Sequence, residues 1–152
     1  MLALGMSAGT VIKPPPPFEA PPAAWLTWAN ELHNFVETGL RCLTIERGSC
    51  EVVLEESPWS LNPNGAVNGG LCVAAADQVA GLVALTAMPT GSLPATATLH
   101  AEYLRPAFAP LTLRGSVAQR GRRLVFVAVD VFDSSGRLCV RCTGTMAEQR
   151  DG

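Results

Sequence analysis

The chain has 152 residues, 48% of them hydrophobic, and a formal net charge of −2. That length suits one domain with a substantial core. So small a charge excludes a basic nucleic-acid face, an acidic tail and a polybasic membrane anchor as organising features.

The opening stretch carries no basic residue before Lys13, so it lacks the charged leader of a secretory signal. Residues 1–24 include "KPPPPFEAPPAA", where proline blocks helix and removes ladder donors. They read as an extended, Pro-rich N-terminal extension ahead of a single domain over residues 25–152. Trp25, Trp28, Leu32 and Phe35 then recur at helical spacing and predict one short amphipathic helix over residues 24–36. "LRCLTIERGSCEVVLE" follows, two strand-type runs around Gly48 that suggest a hairpin. "SPWSLNPNGAVNGG" is a turn-rich loop.

The run Leu71 to Met88 is rich in Ala and is closed off by Pro89, Gly91 and Pro94, which predicts a helix. It is apolar nearly all round and should be buried on most sides. Its apolar stretch is interrupted by Asp77 and Gln78 and falls short of the ~20 residues a membrane span needs. Four strand-like runs come after it. In the first, "ATATLHAEYLR", Leu99, Ala101 and Tyr103 alternate against Thr96, Thr98, His100 and Glu102. Turns at "RGRR" and "DSSGR" separate the last three runs and suggest an antiparallel meander. A long apolar helix needs a cover, and a strongly curved antiparallel sheet wrapped around it would make an α+β domain.

The five cysteines, Cys42, Cys50, Cys72, Cys139 and Cys142, form an odd set. They do not read as a disulfide framework and point to a reducing, cytoplasmic setting. "CVRC" at 139–142 has the spacing of half a zinc site, but no second CxxC or nearby His pair completes it, so no metal is expected. Cys72, just inside a helix start, is a rival nucleophile, yet neither His33 nor His100 is placed beside it by sequence. His100 and Glu102 share a strand face, which reads as a solvated face before it reads as a dyad.

The stretch "NPNGAVNGGLCVAAADQ" decides the reading. Its Asn62, Gly65, Asn68, Gly69, Gly70 and Asp77, with the order of elements around them, resemble the hotdog-fold acyl-CoA thioesterases, in particular the phenylacetate-pathway (PaaI-like) branch. That branch shows Asn-x-x-Gly-x-x-His-Gly-Gly, then Asp or Glu seven residues after the second Gly. "LPATATLHAEYLRPA" resembles the strand after the central helix, with Thr96 where Ser or Thr is usual. The resemblance spans roughly residues 34–148. It implies a hotdog fold, sites at a dimer interface, and coenzyme A as part of the substrate with no separate cofactor. The one departure is Asn68 in place of His, a residue that can donate and accept hydrogen bonds but cannot carry a proton.

Thioester hydrolysis suits these residues. Free N–H groups of Gly69 and Gly70 at a helix start favour negative charge on a carbonyl oxygen, and Asn62 could add an amide. Asp77 could serve as general base or as nucleophile. Thr96 could hold the attacking water, and Asn68 could shape the loop. Arg120, Arg122 and Arg123, clustered at a predicted turn, could meet the phosphates of coenzyme A. Gly69 and Asp77 are eight residues apart, about 12 Å along one helix. One subunit cannot easily bring both to one reacting carbon, so a homodimer with two shared sites follows, with pairing into a dimer of dimers left open. The alternatives are an acyl-CoA-binding protein without turnover and, further off, a dehydratase of hydroxyacyl thioesters.

Overall fold

The computed structural model describes residues 13–150; what was expected of residues 1–12 lies outside them. Residues 13–21 run without regular structure along the domain and are fastened to it. The Trp28 indole N–H donates to the Lys13 carbonyl (2.9 Å), and the Phe18 N–H donates to Thr90 Oγ1 (2.8 Å). The Arg47 guanidinium lies 3.8 Å from the centre of the Phe18 ring, a cation–π contact.

The single helix expected over residues 24–36 is two helices, α1 (Pro22–Glu31) and α2 (His33–Thr38). Proline suits the first turn of α1, where no N–H partner is needed. The break is at Leu32, whose backbone is extended (φ −60°, ψ 127°). Asn30 accounts for it. Its side-chain amide donates to the carbonyls of Leu26 (3.1 Å) and Cys42 (3.0 Å), and its oxygen accepts from the Cys42 N–H (2.8 Å). The end of α1 is thereby tied to the next strand, and the bend turns Phe35 into the core beside Trp25 and Trp28.

The remaining elements are β1 (Leu40–Glu46), β2 (Ser49–Leu54), α3 (Gly69–Leu85), β3 (Ser92–Tyr103), β4 (Leu111–Arg120), β5 (Leu124–Phe132) and β6 (Leu138–Arg150). All six strands form one antiparallel sheet in the order β1-β2-β4-β5-β6-β3. The hairpin around Gly48 and the β4-β5-β6 meander match the sequence reading. The 12-residue β3 does not join its neighbours in sequence; it crosses to pair with β6 and ends as an edge strand.

Helix α3 packs on the face of the sheet made by inward residues such as Val52, Leu113, Val125, Val127, Val129 and Met146. Gly115 on β4 permits the close approach. A Cβ there would stand 2.9 Å from Val79 Cγ1 and 3.1 Å from Cys50 Sγ. The helix was expected to be buried on most sides. Its last turn is buried all round, with Leu82, Val83, Ala84 and Leu85 all covered; before it Leu71, Cys72, Ala75, Ala76, Val79 and Ala80 face the core, while Val73, Ala74, Asp77, Gln78 and Gly81 form a half-covered stripe.

Candidate active site

Asn68 starts α3. Its side-chain oxygen accepts from the Gly70 N–H at 2.8 Å, a cap that satisfies one of the helix's open donors. The preceding loop is closed by Asn62, whose side-chain oxygen takes the N–H groups of Asn64 and Ala66, each at 3.0 Å. Gly65 sits at φ +75° in that turn, where a side chain would be strained. The Val67 N–H then donates to the Ala107 carbonyl (2.8 Å), so the loop is tied to the chain just after β3.

Asp77 is half-buried on the open stripe of α3. Its Oδ1 accepts the Thr96 hydroxyl at 2.8 Å, and the same Thr96 oxygen lies 3.5 Å from Met146 Sδ. Strict alternation along β3 would put Thr96 on the face of His100 and Glu102, away from the helix. A bulge prevents that. Thr96 pairs with Met146 and Thr98 with Thr145, so Ala97 is an extra residue and the side-chain parity reverses across it. Thr96 therefore shares the helix-facing side with Leu99 and Ala101.

Tyr103, at the far end of β3, was read only as part of the apolar face. Its hydroxyl donates to the Gly69 carbonyl (2.9 Å). Its ring lies so close that a Cβ on Gly69 would meet Cε1 at 2.9 Å. Burial pushes its phenol up from the usual value, so it is a donor at neutral pH. Tyr103, Gly69, Asn62, Cys72, Leu104 and Arg105 are among the walls of a cavity of about 310 Å³. Trp59, half exposed, stands on the other side, 3.9 Å from where a Gly70 Cβ would be. Sequence reasoning placed neither aromatic at the site. Trp59, in the loop that leads to the glycines, was the one signal within reach of the sequence; Tyr103, 34 residues after Gly69, left none.

The structure thus gathers Asn62, Asn68, Gly69 and Gly70 at the start of α3. It gathers Asp77 and Thr96 two turns further on, about 12 Å away at the helical rise. The arginines form no hydrogen bond with either group, gather about Glu148 on β6, which pairs with Pro94 two residues before Thr96, and differ among themselves. Arg120 is bound to Glu148, whose carboxylate also accepts from Ser92 Oγ (2.8 Å) and Arg150 (2.8 Å). Those partners, Arg120 first, hold the Glu148 carboxyl down from 4.5 to about 2. Arg122 and Arg123 are exposed and line, with Glu148 and Arg150, a cavity of about 320 Å³. Cys72 is buried, and burial raises its thiol to about 11, which does not suit a nucleophile. His100 and Glu102 are exposed, 3.5 Å apart, on the outer face of β3.

A family model described as the thioesterase superfamily matches residues 64–140, just over half of the chain, from the Asn62 loop to β6. The chain belongs to the thioesterase superfamily. Its six-stranded antiparallel sheet packed on α3 is the hotdog fold. Among relatives, a Thermoplasma acidophilum protein that carries a provisional esterase name is 30% identical over 66% of this chain and 76% of its own. A phenylacetic-acid-degradation-related protein of Ralstonia eutropha, provisionally named a thioesterase, superposes with a TM-score of 0.69 at 28% identity, over 74% of this chain and 87% of its own. A Streptococcus mutans protein bound to acetyl-CoA gives the same TM-score and identity, over 80% of this chain and all of its own. The resemblance to the phenylacetate-pathway branch is met by the second of these. No helix among the described residues is long and apolar enough to cross a membrane.

Proposed function

We propose that the protein hydrolyses an acyl-CoA thioester to the free acid and coenzyme A, at two equivalent sites shared across a homodimer. The observation that carries this reading is the placement of Asp77. It is a carboxylate on the half-covered stripe of α3, held by Thr96 and two turns, about 12 Å, along the helix from the start of α3 at Gly69. Across a two-fold axis that runs α3 against its copy, the Asp77 of one protomer meets the α3 start of the other. The half-covered stripe and the long edge strand β3 are the surfaces such pairing would cover. The S. mutans relative bound to acetyl-CoA supports the choice of substrate.

In this reading the thioester carbonyl accepts hydrogen bonds at the start of α3, where the helix dipole favours the charge that builds on oxygen. The Thr96 hydroxyl occupies Asp77 Oδ1, which leaves Oδ2 to take a proton from water. That water attacks the carbonyl carbon, and the tetrahedral intermediate collapses by breaking the carbon–sulfur bond. The coenzyme A thiolate leaves and is protonated. Arg122 and Arg123 are the cations open to its phosphates, whereas Arg120 is held by Glu148. Five cysteines without a disulfide suit a reducing cytoplasm.

Asp77→Ala and Asp77→Asn are expected to lower thiol release from aromatic or medium-chain acyl-CoA by at least ~10²-fold. A folded Asp77→Ala protein that keeps the wild-type rate refutes the mechanism. Acyl-CoA binding by calorimetry with no thiol release from the wild type would establish the second reading, binding without turnover, which Asn68 in the position of the family's His favours.

A further inference from the structure

The Gly69–Gly70 peptide is gripped from both sides. On one side the Tyr103 hydroxyl donates to the Gly69 carbonyl (2.9 Å); on the other the Gly70 N–H donates to Asn68 Oδ1 (2.8 Å). The two bonds belong to the same amide group, and each strengthens the other by polarising it. They have two effects. The Gly70 N–H is occupied by the cap, so it is not a free donor. The Asn68 amide has its orientation fixed, because an N–H can point only at the oxygen of that amide. Asn68 Nδ2 is then left to face outward with two N–H donors. Asn68 is exposed, and its nitrogen has no hydrogen-bond partner among the described residues.

Resting on the reading of the site as an acyl-CoA thioesterase, we propose that the Asn68 side-chain N–H is the donor that meets the thioester carbonyl, held for that task by Tyr103 through the Gly69–Gly70 peptide. Asn68 is a catalytic residue on this account, and Tyr103 is a positioning residue. The arrangement explains why the chain tolerates Asn at this place. An uncharged amide cannot move a proton, but it can cap the helix with its oxygen and bind a carbonyl with its nitrogen. It also gives Gly69 a reason beyond substrate access. Any side chain there would push the Tyr103 ring away and loosen the grip. Trp59 beside Gly70 supplies an apolar surface next to the donor.

The test separates the donor from the cap. Asn68→Asp keeps an oxygen that can cap α3, Asn68→Gly suits the cap position with almost no loss of stability, and both remove every side-chain hydrogen-bond donor. The probe is a ketone analogue of an acyl-CoA, with methylene in place of sulfur and a ¹³C-labelled carbonyl, observed by isotope-edited infrared spectroscopy. Bound to wild type, its carbonyl stretch is expected to fall below that of the free analogue. In both Asn68 variants most of that lowering disappears, and kcat for an acyl-CoA falls by ~10²-fold with an unchanged melting temperature. Tyr103→Phe keeps the ring and loses the hydroxyl. It is expected to lose part of the infrared shift and several-fold in kcat, with KM nearly unchanged. A neutral Asn68→Gly protein that keeps both the shift and kcat overturns the inference and leaves the thioesterase reading standing. A wild type that does not bind the ketone analogue overturns both.

Discussion

Asp77 and Thr96 form the smallest unit on which the proposed hydrolysis depends. One hydrogen bond of 2.8 Å joins a carboxylate and a hydroxyl from two different elements. The bond does two things: it stops the carboxylate from rotating, and it leaves a single oxygen to meet water. Thr96→Val keeps the shape and removes the bond. It is expected to lower kcat about 10-fold through lost orientation, with little change in folding stability at so exposed a site; steady-state kinetics and a thermal melt on the same preparation check both halves. Asp77 was legible in the sequence because a lone charge in an apolar helix is costly and demands a partner. Tyr103 was not. At a strand end, alternation reports only which face a side chain starts from, and the Tyr103 hydroxyl reaches back to a helix 34 residues earlier in the chain.

At the level of elements, β-branched runs, turn residues and the Ala-rich stretch announced the hairpin, the meander and α3 with little ambiguity. Two features were hidden because they are tertiary. The break at Leu32 comes from Asn30 holding Cys42 on β1, a partner that helical periodicity cannot see. The bulge at Ala97 leaves no mark in a run of Thr and Ala, yet it aims Thr96 at the helix. The contact between α3 and β4 makes its own prediction. Gly115→Ala inserts a methyl 2.9 Å from the rigid Val79 side chain and is expected to destabilise the fold by about 1–3 kcal/mol in urea unfolding, despite the better strand propensity of Ala. The end of β6 predicts an acid response. Glu148 has a lower pKa folded than unfolded, so its contribution is present above pH 4.5 and is lost as pH falls toward 2. Stability measured across that window should drop less steeply in Glu148→Gln than in wild type.

The molecule as a whole sets two groups on one rigid rod at a separation that chemistry cannot bridge. The spacing along α3 was readable from the numbering; the edge position of β3 was not, because strand order in a sheet depends on crossovers rather than on local pattern. Subunit mixing tests the shared site. Asp77→Ala and Gly69→Pro proteins are each expected to be inactive. After random exchange half the molecules are hybrids, each with one intact site of two, so about a quarter of wild-type activity should return. Verified exchange with no recovery would place each site within a single chain.

Residues 13–21 carry a practical lesson for handling the protein. They span from the Lys13 carbonyl under Trp28 to Phe18 beneath Arg47 and beside Thr90. A chain trimmed back to Ala20 would strip Phe18 from the wall of a 240 Å³ hollow and bare the Trp25 and Ile45 surfaces that line it. Thr90, just past the tail of α3, would lose its anchor. What reads in the sequence as a Pro-rich extension is a buckle just past the C-terminal end of α3, opposite the Asn68 cap, and removing it is expected to lay Trp25 open and promote self-association, which light scattering would detect.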